Sequence, residues 1–150
     1  MSGPEAIKNS ALFLLLTAAA WSDIKEMRIP NRLIKAGGVL RILVFLAEWK
    51  TMGKAAFIQG GEKLAGSILL LLAFTIFAVI SRYGLGFGDV KLLGVMALYQ
   101  GVENTLICLL HGLLVAAILS LALLAAGRIN RKDKLPLAPF LFLGYLLMFL

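Results

Sequence analysis

The chain has 150 residues, 61% of them hydrophobic and 15% charged, whereas soluble domains run at roughly 45–50% apolar and about 25% charged, so a disordered chain is excluded and an ordinary soluble domain fits poorly. The net charge is +7, but the basic residues fall between apolar blocks and form no continuous stripe, so they read as signals of membrane topology and not as a nucleic-acid footprint. A single cysteine, Cys108, lies in an apolar stretch; it excludes an intrachain disulfide and a paired-cysteine metal site.

In chain order, Asn9 to Ser22 is uncharged and extends to Ile7 if Lys8 snorkels to the interface, which makes it the first span. It also resembles a signal peptide, with Ala18-Ala19-Ala20 offering a cleavage-like site. The basic cluster follows the apolar run instead of preceding it, so the helix is expected to stay. Ala36 to Trp49 is apolar apart from Arg41 and Glu48, which share one helical face; it reads as an interior-facing span whose two charges make a structural polar contact between helices. Gly53 to Lys63 reads as a polar external loop. Leu64 to Ser81 and Thr105 to Gly127 carry no charge and are long enough to span. Between them, Asp89 to Gln100 is too short for a full crossing and is expected to form a short or partly embedded helix. Leu135 to Leu150 is a last apolar run with Pro136 and Pro139 near its start. The expectation is an all-α polytopic membrane bundle of about six helices, one of them short, forming a single integral-membrane domain over residues 1–150.

Orientation follows from the basic residues in the connections. Those after helices one, three and five hold Lys25, Arg28, Arg32 and Lys35, then Arg82 and Lys91, then Arg128, Arg131, Lys132 and Lys134. The opposite side holds Lys8, Lys50, Lys54 and Lys63. The N-terminus is therefore expected outside, with the richer side in the cytoplasm.

Of the eight acidic residues, Glu5, Glu26, Glu62, Glu103 and Asp133 fall in loops or termini and read as solvated. Asp23 ends the first helix and Asp89 begins the fourth, so the parity of the crossings puts both at one membrane face. Two carboxyls close together in a poorly solvated place share one proton, which leaves one as base and the other as acid. That is equipment for activating water against a peptide bond. A plainer reading stands beside it: Asp89 as a helix N-terminal cap, and Asp23 as an interfacial carboxylate paired with Lys25 or Arg28. Gly84, Gly86 and Gly88 allow positive φ and close backbone approach, which would let an extended peptide lie beside Asp89; a flexible interhelical loop accounts for them as well. A phosphate cradle is a poor reading, because there is no Gly-Lys-Ser/Thr ending and an aspartate stands where the anion would sit.

Asp23 followed by Ile29-Pro30-Asn31-Arg32, together with Gly86-Phe87-Gly88-Asp89-Val90-Lys91-Leu92, resembles the signature pair of type IV prepilin peptidases, membrane aspartic proteases of the GxGD type. Leu135-Pro136-Leu137-Ala138-Pro139-Phe140 resembles the family's proline-containing entry to the last helix. The resemblance implies cleavage of the short basic leader of prepilin-like proteins, after a glycine at the cytoplasmic boundary of the cell membrane, with Asp23 and Asp89 as the catalytic dyad. Larger members carry a cysteine-paired N-terminal domain that methylates the new N-terminus; this chain starts at its first helix, so peptidase activity without methyl transfer is expected. Tyr99 stands where many relatives have tryptophan.

Several residues keep simpler readings. Pro30 and Asn31 turn the chain, Asn31 as the cap of helix two, and the resemblance adds that this turn aims Asp23. Lys91 reads as an interfacial anchor, or as a cation that lowers a carboxyl pKa. His111 is a packed or pore-side residue, with a proton relay as the alternative. Trp21, Trp49 and Tyr83 read as interfacial belt residues. No cluster has metal-ligand spacing, and neither a metal nor another cofactor is expected. The expected partners are a prepilin-like substrate and membrane lipid, with no nucleic acid. The rival function is a small proton- or ion-coupled transporter using the same carboxylates, although carriers hold such groups near mid-depth on interrupted helices.

Overall fold

The computed structural model describes residues 3–81, 85–128 and 135–148, so Arg82, Tyr83 and Gly84, and Arg131, Lys132, Asp133 and Lys134, lie outside the described residues. The described residues form six helices and no strand: α1 (Gly3–Glu26), α2 (Asn31–Met52), α3 (Lys54–Ile80), α4 (Phe87–Gln100), α5 (Val102–Ala125) and α6 (Ala138–Leu147). The all-helical expectation holds, and α4 is indeed short. One expectation fails. Gly53 to Lys63 is no loop, because α3 starts at Lys54, one residue after Gly53 takes a left-handed φ of 58°. Two glycines in a helix cost roughly 1 kcal/mol each. Here Gly60 lies under the Phe45 ring, which occupies the space a β-carbon would need, so packing against α2 overrides propensity.

The outer surface has the character of a membrane protein. α3 and α5 are each long and apolar enough to cross a bilayer. Their large side chains face outward, among them Leu69, Ile80, Ile118 and Leu121, each about two-thirds or more exposed. A helix that is apolar all round suits lipid and not water.

The interior is organised around α4, which touches α1, α2, α3 and α5. Val90, Leu92, Leu93, Gly94, Val95, Met96, Ala97 and Tyr99 are all buried, so from residue 92 to residue 97 no face of the helix is left free. At 14 residues it is about 21 Å long, short of a hydrocarbon core of about 30 Å. Its C-terminal carbonyls therefore need partners within the bundle. Arg41 Nε donates to the Leu98 carbonyl at 2.7 Å, and its Nη1 is paired with Glu48 at 3.0 Å. The Arg41–Glu48 contact thus stays within α2, and the same guanidinium makes the bond between helices. Tyr99 Oη donates to the Gly37 carbonyl at 2.8 Å, and Ser67 Oγ to that of Gly94 at 2.7 Å, tying α4 to α2 and α3. Gly101, at φ 89°, then reverses the chain directly into α5.

α5 and α6 approach backbone to backbone. A β-carbon on Gly112 would stand 2.7 Å from the Phe140 carbonyl oxygen, and one on Gly144 would stand 2.8 Å from the Gly112 nitrogen. Small residues at such a crossing are what lets helices pack in a membrane. Replacing Gly144 by Val is expected to destabilise the protein by about 1–3 kcal/mol or more, as overpacking against an unyielding backbone does. A fall in the melting temperature of the detergent-purified variant would register it; an unchanged value would reject the close crossing.

Candidate active site

Asp23 lies in the last turn of α1 and is only 6% exposed. α1 closes through Met27, which has a left-handed φ of 51° and donates its N–H to the Asp23 carbonyl at 2.9 Å. Ser22 Oγ donates to the Arg28 carbonyl at 3.0 Å and folds the chain back. Pro30, at φ −67° and ψ 133°, is the N-cap of α2. The connection is thus short and cross-braced, which fixes where Asp23 points.

Its carboxylate meets a distant part of the chain. Asp23 Oδ2 accepts the Ala138 N–H at 2.9 Å. Ala138 is the first residue of α6, whose early N–H groups have no partner within the helix. A carboxylate there also meets the positive end of the helix dipole.

Asp89 occupies the third position of α4, after Gly86 as N-cap. A hydrogen bond with the Gly86 backbone favours its charged form. Burial opposes ionisation more strongly, and the negative charge of Asp23 adds to that, so the Asp89 carboxyl is pushed from 3.8 up to about 6. The residue sits at the mouth of α4, outside the two bilayer-length helices. The two acids, far apart in sequence, are thereby close enough for one charge to act on the other.

The start of α4 is pinned to the α1–α2 turn. A β-carbon on Gly88 would lie 3.3 Å from Ile29 Cβ, and Lys91 Nζ donates to Asn31 Oδ1 at 3.0 Å. Asn31 therefore does not cap α2; it is the first helical residue, with Pro30 in the cap position, and its side chain is turned to Lys91. Lys91 is exposed but engaged with Asn31, and Asp23 is the side-chain charge that moves Asp89. The glycines act through space and not through positive φ. Gly86 has φ −69°, and a β-carbon there would stand 2.9 Å from Asp89 Oδ2. Gly84 lies outside the described residues.

Among the described residues no group of three or more His, Cys, Asp or Glu side chains could hold a metal ion. His111, in α5, keeps a buried Nδ1 without a hydrogen-bond partner. Trp21 and Trp49 are exposed, as belt residues are.

The model of the type IV leader peptidase family matches residues 10–121, which include both aspartates and the segments around them. The chain belongs to that family. Relatives of this leader peptidase family member include the prepilin leader peptidase/N-methyltransferase of Bacillus subtilis, 30% identical over 91% of this chain and 52% of the relative. Those of Aeromonas salmonicida and Aeromonas hydrophila are 28% and 27% identical, each over 85% of this chain and 43% of the relative. The chain thus spans about half the length of the curated relatives it matches. No solved structure matches it.

One contributor to the site has no side-chain signal in the sequence. The Ala138 N–H is a backbone donor; the prolines at 136 and 139, which bracket a helix start, are the only hint.

Asp89 makes a stability prediction. Its native pKa lies above the unfolded one, so the native state binds more protons between these values, and stability falls as pH rises from about 4 to about 6. Asp89→Asn removes that penalty. The variant is expected to melt above the wild type at pH 7, with the gain fading on acidification towards pH 4 in a melting series; a gain that is independent of pH would contradict the raised pKa.

Proposed function

We propose that residues 1–150 form a single membrane peptidase domain, an aspartic endopeptidase that removes the short basic leader of type IV prepilin-like proteins at the cytoplasmic membrane boundary. The observation that carries the reading is the electrostatic pairing of buried Asp23 with Asp89 inside a family of leader peptidases. The proposal assigns this segment leader cleavage alone and no N-methyl transfer.

The environments of the two acids suggest their roles. Asp23 accepts a backbone N–H at a helix start, a setting that suits a carboxylate. Asp89, with its raised pKa, is the better holder of the shared proton. In the mechanism, a water between them gives its proton to Asp23 as its oxygen attacks the scissile carbonyl carbon. Asp89 hydrogen-bonds the carbonyl oxygen and donates its proton to it. In the collapse of the resulting tetrahedral intermediate, the leaving nitrogen takes a proton from Asp23, the C–N bond breaks, and one hydroxyl of the intermediate returns its proton to Asp89 as the new carboxyl group forms. Proton transfers of this kind supply roughly 10²–10⁴-fold each. The titration belongs to the pair and not to either residue.

A substrate helix must unwind to present its peptide bond. A glycine before the scissile bond eases this by about 0.5–1 kcal/mol relative to alanine, and a site at the membrane edge admits water.

The decisive test is co-expression with a prepilin-like substrate. Asp23→Asn and Asp89→Asn are each expected to lower cleavage by roughly a thousandfold or more while the protein remains in the membrane. Substantial residual cleavage in either variant defeats the dyad. With wild-type enzyme, the rate is expected to fall as pH rises above about 6, by about tenfold per unit well beyond it; a rate still climbing at pH 8 would contradict a donor role for Asp89. Gly86→Ala, whose methyl displaces the Asp89 carboxylate, is expected to lose activity without losing the fold, read as cleavage rate against melting temperature.

The same proposal places Lys25, Arg28, Arg32 and Lys35 in the cytoplasm and the N-terminus outside. A cysteine introduced at Arg28 should react with a membrane-impermeant thiol reagent only after the cells are opened; labelling of intact cells would invert the topology.

A further inference from the structure

At the end of the bundle away from the carboxylates, Lys8, Arg41 and Lys63 gather beside Glu48. Lys8 lies about 22 Å along α1 from Asp23, and Arg41 about 15 Å along α2 from Asn31, at 1.5 Å per residue. Lys8, Arg41 and Glu48 are all close enough to act electrostatically on Lys63. Lys8, Lys63 and Glu48 are all partly shielded from solvent, and Arg41 is buried. Three cations thus converge with one carboxylate among the groups that act on Lys63, and that carboxylate already pairs with Arg41 at 3.0 Å. Cations gathered in a partly shielded place repel one another, and an anion among them relieves the repulsion.

Arg41 also forms part of the wall of a cavity of about 430 Å³ between α2 and α3. Ile42, Phe45, Phe57 and Leu64 make the rest of the wall apolar. Gly38 and Gly61 face it with nothing within 4 Å of where their β-carbons would be, so these two glycines keep it open. A charged cluster beside an apolar slot, joined through one guanidinium, matches an anionic head attached to a hydrocarbon chain.

We propose that this region is a binding site for one anionic phospholipid of the leaflet opposite the catalytic carboxylates, its phosphate held by Lys8 and Lys63 and an acyl chain lying in the α2–α3 cavity beside Arg41. It is separate from the basic rim of Lys25, Arg28, Arg32 and Lys35 at the other end and from the chemistry there.

The test uses the full chain in a neutral maltoside detergent, with the melting temperature read in added dioleoyl phosphatidylglycerol, dioleoyl phosphatidylcholine or inorganic phosphate. Phosphatidylglycerol is expected to raise the wild-type value by on the order of 5 °C near saturation, while the other two leave it unchanged. The double variant Lys8→Met/Lys63→Met should lose that rise, and Arg28→Gln/Arg32→Gln/Lys35→Gln should keep it. A rise that persists in the Lys8/Lys63 variant, one that inorganic phosphate reproduces, or no rise in the wild type would each overturn the site. Should the double variant fail to fold, Lys63→Gln serves in its place: native mass spectrometry is expected to find retained phosphatidylglycerol reduced at least about fivefold, and equal retention would refute the proposal.

Discussion

The structure depends on burying a helix too short to reach across a membrane. α4 is covered on every face from residue 92 to residue 97, so its apolar side chains need no lipid, but its C-terminal carbonyls then need partners within the bundle. At the far end the solution is the Arg41 guanidinium on the Leu98 carbonyl, with Glu48 balancing the charge and the Tyr99 ring 5.9 Å from the guanidinium carbon. At the near end the helix opens with Gly86 and Asp89. An ion pair inside an apolar bundle is weak evidence for stability, because desolvation costs about as much as the attraction returns. Here it permits a helix terminus at depth, which is what allows Asp89 to be held at a chosen height.

Asp89 at the near end pulls against the fold. Burial and the neighbouring charge both disfavour an ionised Asp89, while one hydrogen bond to Gly86 favours it. A fold optimised only for stability would place an amide there. Keeping the acid is the kind of local cost that functional sites carry, tolerated because the surroundings over-determine the geometry. Those surroundings are specific: Ile29 against Gly88, Lys91 on Asn31, and the Ala138 N–H on Asp23. None of the three touches both acids. Together they fix the two elements that carry them.

Much of this was legible in the sequence, for reasons that differ by residue. Charge-free runs as long as Leu64 to Ser81 and Thr105 to Gly127 permit little but membrane helices, and the parity of the crossings leads to the expectation that Asp23 and Asp89 lie near one another, as two groups whose charges interact do. The Gly53 to Lys63 segment reads as a loop because glycine pairs and polar letters record local propensity, whereas the Phe45 ring that makes a helix favourable there lies on another element. Gly86 and Gly88 stood out as glycines, but the reason was misread: φ is ordinary at Gly86, and at both positions what matters is the atom that a methyl group would meet. Asn31 looked like a cap because it follows a proline at a helix start; its partner, Lys91, is sixty residues away, and one sequence carries no record of that pairing.

The hydrogen bond from Ala138 to Asp23 joins positions 115 residues apart, and its donor belongs to the final helix. A chain emerging from the ribosome in order, at roughly 5–20 residues per second, would insert both acids several seconds before the group that steadies Asp23 exists. The setting of Asp23 is therefore complete only once α6 has been made and has docked through its glycine crossing with α5. A chain made only as far as α5 would carry both acids without the N–H that holds Asp23.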